Sequence, residues 1–143
     1  VAMKFGATHG VLASIKAPWE NAKAALGRGA DAVFVTVGAA GAYTTAPNYL
    51  AAGGKIIMVG MPAIGATSSY EAGNLAAASQ SIIGSKMGDA VIQRDIPWIV
   101  DLYSQGRLKL DELISGHWPL AQINEAIADT KTGSAKRNVI HFK

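Results

Sequence analysis

Cysteine is absent from this chain of 143 residues. Its absence excludes disulfide scaffolds, thiolate zinc sites, cysteine nucleophiles and iron–sulfur clusters within these residues, and it fits a cytoplasmic protein. Charge is scarce too. Asp, Glu, Lys and Arg make up 16% of the chain, against about 25% in an ordinary soluble domain. A surface so poor in charge is expected to be covered by another domain, a subunit or a ligand. No apolar run approaches the roughly 20 residues that cross a bilayer, so no membrane partner is expected. The first residues, Val1-Ala2-Met3-Lys4-Phe5-Gly6, lack the apolar core of a signal peptide. The net charge is +3, yet the basic residues are scattered, with Lys136-Arg137 as the closest pair. No nucleic-acid partner is expected from that distribution.

What is present is apolar and glycine-rich: half of the residues are hydrophobic and 16 are glycine. The size suits one ordinary domain. Between glycines, short β-branched runs alternate with alanine-rich stretches, the pattern of parallel βαβ units. The reading predicts a helical turn over 1–5 stopped by Gly6, and a strand over His9–Ala13. A helix entered at Pro18 and stopped by Gly27 follows. Asp31–Val37 reads as a strand covered on both faces. A helix follows Gly38-Ala-Ala-Gly41 and ends near Ala52. A strand over Lys55–Val59 closes at Gly60-Met61-Pro62. Residues 63–81 read as a loop with a short helix near Asn74–Ala78. Beyond it lie a short strand containing Ile82-Ile83 and a helix capped by Asp95. A strand over Leu113–Pro119, a helix over Leu120–Thr132 and a strand over Asn138–Phe142 complete the chain.

Three places carry candidate chemistry. In Val37-Gly38-Ala39-Ala40-Gly41, a glycine turn after a strand lets backbone approach a ligand, or simply makes the turn. Val59-Gly60-Met61-Pro62 lies at the carboxyl end of a strand, where ligands of open α/β sheets bind; its backbone can hydrogen-bond a flat ligand or serve the turn alone. Arg137 enters the last strand and is a solvated edge residue or a phosphate clamp. A full GxGxxG fingerprint and a GxxxxGK[ST] loop are both absent. His9, His117 and His141 have no second ligand at helical spacing. Asp89, Asp95 and Asp101 suit capping and surface roles, and no GxSxG elbow exists. Residues alone therefore show a nucleotide-binding type of sheet and no catalytic group.

The order of motifs says more. Ala2-x-x-Phe5-Gly6-Ala7-Thr8 is followed by Gly29-Ala-Asp31-Ala-Val-Phe-Val-Thr-Val37-Gly38. Next come Leu50-Ala-Ala-Gly53-Gly54-Lys-Ile-Ile-Met-Val59-Gly60-Met-Pro62 and Gly84-Ser-Lys-Met-Gly88. Asp95-Ile-Pro97 and Leu102-Tyr-x-x-Gly106-Arg107-Leu108 precede Pro119-Leu120-x-x-Ile123-Asn124-Glu125-Ala126 and Arg137-x-Val139-Ile140-x-Phe142. This series resembles the C-terminal portion of zinc-type medium-chain alcohol dehydrogenases, over essentially the whole chain. The resemblance implies a partial Rossmann-type, doubly wound parallel α/β sheet that lacks the first βαβ elements. Residues 1–112 would be the C-terminal part of a dinucleotide-binding domain. Residues 113–143 would be a returning segment that packs partly with a catalytic domain outside this sequence.

The same resemblance implies site residues. Val37 and Gly38 match positions bordering the adenosine half of NAD or NADP. Val59, Gly60 and Met61 match the backbone that holds the nicotinamide amide, and Ser85 and Met87 the next strand's contacts near it. Arg137 matches an arginine on the pyrophosphate. The strand at Ile82-Ile83 matches an edge across which family dimers pair, and an exposed apolar edge needs such cover. The Gly-rich fingerprint, the acidic ribose-binding residue and the zinc ligands of the family have no counterpart here, so zinc is expected only through residues outside this chain. Together with the Val1 start, this gives the expectation of a fragment, inactive alone and marginal or rearranged without the missing strands. The expected parent moves a hydride between a small alcohol or aldehyde and the nicotinamide. Alternatives are a zinc-free quinone or enoyl reductase of the same superfamily, and a non-catalytic nucleotide-binding or assembly module.

Overall fold

The computed structural model describes residues 1–142. They fall into two compact units, Val1–Ala90 and Val91–Lys143.

In the first unit, a 3-10 turn over Ala2–Phe5 closes at Gly6, whose φ of 100° suits only glycine. Helix α1 (Pro18–Leu26) begins on Pro18, whose missing N–H costs nothing in a first turn, and stops at Gly27 with φ 72°. The expected strand at His9–Ala13 does not form. No strand lies beside it to satisfy its amides and carbonyls, and an unpaired strand has no ladder to hold it.

Strands β1 (Ala30–Val35), β2 (Leu50–Met58) and β3 (Ser81–Gly84) form a parallel sheet in that order. This is the expected α/β architecture, with helical crossovers between neighbouring strands. Cover is one-sided on β1: Val33 and Val35 point inward while Phe34 between them is 65% exposed. The reading of a strand buried on both faces is therefore corrected. β2 starts well before Lys55 because Gly53 takes φ 72° and the register jumps from Ala30↔Leu50 to Ala32↔Lys55. Helix α2 (Ala40–Thr45) is shorter than expected. Pro47 has no N–H to continue it, so the chain tightens into a 3-10 turn over Ala46–Tyr49 and enters β2. Helix α3 (Ala72–Ala77) interrupts the Gly- and Ser-rich stretch. The core is small: Val35, Tyr43, Ala46, Leu50 and Ile56, with Val33, Ala42 and Met58 packed against them.

In the second unit, α4 (Ile92–Ser104) begins a turn before Asp95, with Val91 at its cap. Asp95 is thus not the N-cap; its carboxylate reaches back to accept the Val91 amide at 2.8 Å. The Arg94 side chain and that amide hold the Asp95 carboxyl below the usual carboxylate range. β4 (Ile114–Pro119) and β5 (Arg137–His141) pair in parallel through helix α5 (Ile123–Lys131), a third right-sized βαβ crossover. The Asn138 amide ties β5 to α5, donating to the Ala126 carbonyl at 3.0 Å and to Asp129 at 2.8 Å.

Candidate functional site

Register brings the three strand ends of the first unit level with one another. Val35 pairs with Met58, and Met58 pairs with Gly84. The chain therefore leaves β1 towards Val37-Gly38, β2 towards Val59-Gly60-Met61 and β3 towards Ser85 and Met87 side by side, along one carboxyl edge. Ligands of parallel sheets bind beyond such an edge.

The first two loops interlock backbone to backbone. A Cβ on Gly38 would lie 2.4 Å from the Met61 carbonyl oxygen. One on Gly60 would lie 2.5 Å from the carbonyl carbon and oxygen of Val37. Here glycine is required for space, not for conformation. The Val35 carbonyl accepts from the Val59 amide at 3.1 Å and the Gly60 amide at 2.8 Å, so the β2 exit is tied to the end of β1. The Ser85 amide donates to the Met58 carbonyl at 3.1 Å, which ties in β3.

Beneath the loops stands Tyr43, a residue the sequence reading passed over. It is 6% exposed. Its hydroxyl donates to the Gly60 carbonyl and stands 3.5 Å from the Val35 carbonyl. The one cue was a lone tyrosine in an alanine-rich helix just after the glycine turn. Tyr43→Phe keeps the ring and removes the hydroxyl from a buried carbonyl. It is expected to lower stability by about 1–2 kcal/mol in urea unfolding, with amide exchange at Gly60 and Met61 speeding up more than in α1.

Among the backbone groups along this edge that make no hydrogen bond among the described residues are the Val59 carbonyl, the Ser85 carbonyl and the Met87 amide. Met87 is held at φ 55°, a left-handed conformation rare for a non-glycine residue, and Gly88 follows at φ 65°. Such a conformation stores local strain. None of the seven residues at this edge ionises; Lys86, between Ser85 and Met87, and Asp89 are the charges in this loop. The edge can orient a neutral polar group by backbone hydrogen bonds. Val37 also lines a groove of about 560 Å³ with Trp19, Phe34, Thr45 and Tyr49.

The other seven expected site residues lie along this edge of the first unit; Arg137 opens β5 in the second unit. Arg137 is exposed, its amide donates to Ser115 Oγ at 2.9 Å, and its guanidinium makes no ion pair among the described residues. No group of three metal-ligating side chains occurs among the described residues. The donor set of a structural or catalytic zinc is not provided here.

With that geometry in hand, relatives are informative. An NDMA-dependent alcohol dehydrogenase of Amycolatopsis methanolica is 30% identical over 97% of this chain and 38% of its own length. The solved alcohol dehydrogenase zinc-binding domain protein from Burkholderia ambifaria superposes with a TM-score of 0.92 at 28% identity, over 99% of this chain and 38% of that one. Benzyl alcohol dehydrogenase from Acinetobacter calcoaceticus gives a TM-score of 0.92 at 26% identity, over 99% and 39%. The chain thus spans about two fifths of the length of the proteins it matches. Residues 1–105 match the family described as zinc-binding dehydrogenase. That match takes in all three strand ends and both interlocked glycine loops, and the chain belongs to the zinc-binding dehydrogenase family.

Proposed function

We propose that this edge binds NAD or NADP in an alcohol or aldehyde oxidoreductase, with Val59, Gly60, Met61, Ser85 and Met87 holding the nicotinamide half and Val37 and Gly38 bordering the adenosine half. One observation carries the reading. The level strand ends leave backbone donors and acceptors unspent in neighbouring loops, the Val59 and Ser85 carbonyls and the Met87 amide among them. A carboxamide offers two N–H donors and one carbonyl acceptor, the complementary set. When bound, the nicotinamide would accept or supply a hydride. This chain's part is to fix the carboxamide, and so the ring face, through rigid backbone. Val37 and its groove take the adenosine side, and Arg137 a phosphate.

In this proposal residues 1–112 serve the cofactor and 113–143 form a returning segment. The zinc of the family is held by residues outside this chain, and β3 pairs with a second copy through Ile82 and Ile83, which are 37% and 42% exposed. The alcohol dehydrogenase names of the relatives favour this reading over a quinone or enoyl reductase. No helix is long and apolar enough to cross a membrane, and a cytoplasmic place is part of the proposal.

Titrating the 143-residue chain with NADH, followed by amide resonances, tests the reading. The expected shifts cluster at Val59–Met61 and Ser85–Gly88, with no alcohol-dependent NADH production. Shifts confined to the second unit, or none at saturating NADH, would overturn it.

A further inference from the structure

Strands β4 and β5 run parallel, with His117 opposite Val139 and Pro119 opposite His141. Residues two apart on a strand share a face, so His117 and His141 lie on one face as diagonal neighbours. Helix α5 packs on the other face, where Asn138 and Ile140 line a groove with Ile123, Ala126, Ile127 and Thr130. Both histidines are exposed. Their rings meet nearly head to head. His117 Nδ1 lies 2.6 Å from His141 Nε2, and the ring centroids are 4.8 Å apart.

Two ring nitrogens this close share a single proton, as an N–H···N bond. A cation that takes two neutral imidazoles displaces that proton to the far nitrogen of the ring that carried it. Metal–nitrogen bonds of about 2.0–2.1 Å put two neighbouring ligand nitrogens roughly 2.9 Å apart at a right angle and roughly 3.3 Å apart at the tetrahedral angle. The observed spacing reaches the first by opening about 0.3 Å and the second by about 0.7 Å, with each exposed ring turning roughly 35–45° on the two-strand frame so that both lone pairs converge on the cation. No carboxylate joins them among the described residues. The remaining coordination positions therefore belong to water or an external ligand. Imidazole pairs without carboxylate or thiolate select borderline divalent cations, with copper(II) ahead of nickel and zinc.

We propose that His117 and His141 form an open, two-imidazole chelate for a borderline divalent cation on the face of β4–β5 away from α5. It uses none of the residues at the strand ends and does not depend on the cofactor reading. Two imidazoles without a third side chain are also not the three- or four-ligand zinc sites of enzymes, so its cation is an additional one. The other ring nitrogens, His117 Nε2 and His141 Nδ1, make no hydrogen bond among the described residues. Nothing fixes their tautomers from behind, which keeps the affinity modest.

The test is a calorimetric titration of the 143-residue chain with copper(II), paired with zinc(II) titration followed by long-range ring 1H–15N correlations. The account expects one equivalent bound, with His117 Nδ1 and His141 Nε2 shifting together. His117→Ala and His141→Ala should each weaken copper binding about tenfold or more, while His9→Ala leaves it unchanged. Unchanged affinity in both variants, a shift of one ring alone, or no binding would overturn the proposal. If a variant loses its circular dichroism signal, the ring shifts of the unsubstituted chain decide the question.

Discussion

Gly60→Ala is expected to destabilise the first unit by about 3 kcal/mol, the upper end of the usual cost of overpacking. The new methyl would meet the Val37 backbone at 2.5 Å for its carbonyl carbon and oxygen and 2.7 Å for its nitrogen. Backbone cannot turn aside as a flexible side chain can. The loops must part instead, and parting them strains the amide bonds from Val59 and Gly60 to the Val35 carbonyl and the Tyr43 bond to Gly60. Urea unfolding followed by circular dichroism reads the loss. Gly41→Ala is the control. A Cβ there meets nothing within 4 Å, the position is helical, and alanine should stabilise by about 0.4–1 kcal/mol. Equal effects from the two substitutions would show that the loops do not interlock as described. In the proposed cofactor role, Gly60→Ala should also abolish the NADH-dependent shifts at Ser85 and Met87, because the β2 exit would no longer stand level with β3.

Ile56→Ala should cost about 4 kcal/mol, within the range for truncating a buried isoleucine. Ile56 is 1% exposed and sits two residues before the end of β2, the central strand, against Val35, Tyr43, Ala46 and Leu50. These are the buried residues of the first unit's core cluster, so no second layer collapses into the cavity. Against a usual total stability of about 5–15 kcal/mol, such a loss is expected to leave the unit largely unfolded at modest urea. Phe34→Ala is the comparison. That ring is 65% exposed, so its removal should change stability by no more than about 0.5 kcal/mol. A loss at Phe34 as large as at Ile56 would mean that the outer face of β1 is covered in solution, by a second copy or by re-paired strands.

The contrast between these residues shows how far sequence patterning reaches. Pro18 and Gly27 mark α1 because each imposes a backbone conformation by itself. The strands at Lys55–Val59 and Leu113–Pro119 are legible because β-branched runs between glycines have few other homes. His9–Ala13 carries the same local signal and forms no strand, since a strand exists only with a partner, and pairing is not a local property. The burial of β1 misleads for the same reason: apolar residues on both faces predict cover on both, whereas in the first unit α2 and the turn after it cover the face of Val35 and leave Phe34 exposed. The glycine loops were legible as turns, but the 2.4–2.5 Å approach that makes Gly38 and Gly60 irreplaceable depends on register across two strands. Tyr43 and the His117–His141 pair escaped for a further reason. Spacing rules look three or four residues away, and these contacts span 17 and 24 positions.

The most direct test of the cofactor reading follows carbonyl and amide resonances on binding nicotinamide mononucleotide, which carries the carboxamide without the adenosine half. The account predicts that the carbonyl carbons of Val59 and Ser85 and the amide of Met87 shift together, and that an analogue lacking the carboxamide leaves them still. Equal shifts with both compounds, or movement at Val37 and Gly38 without Val59, Ser85 and Met87, would contradict it.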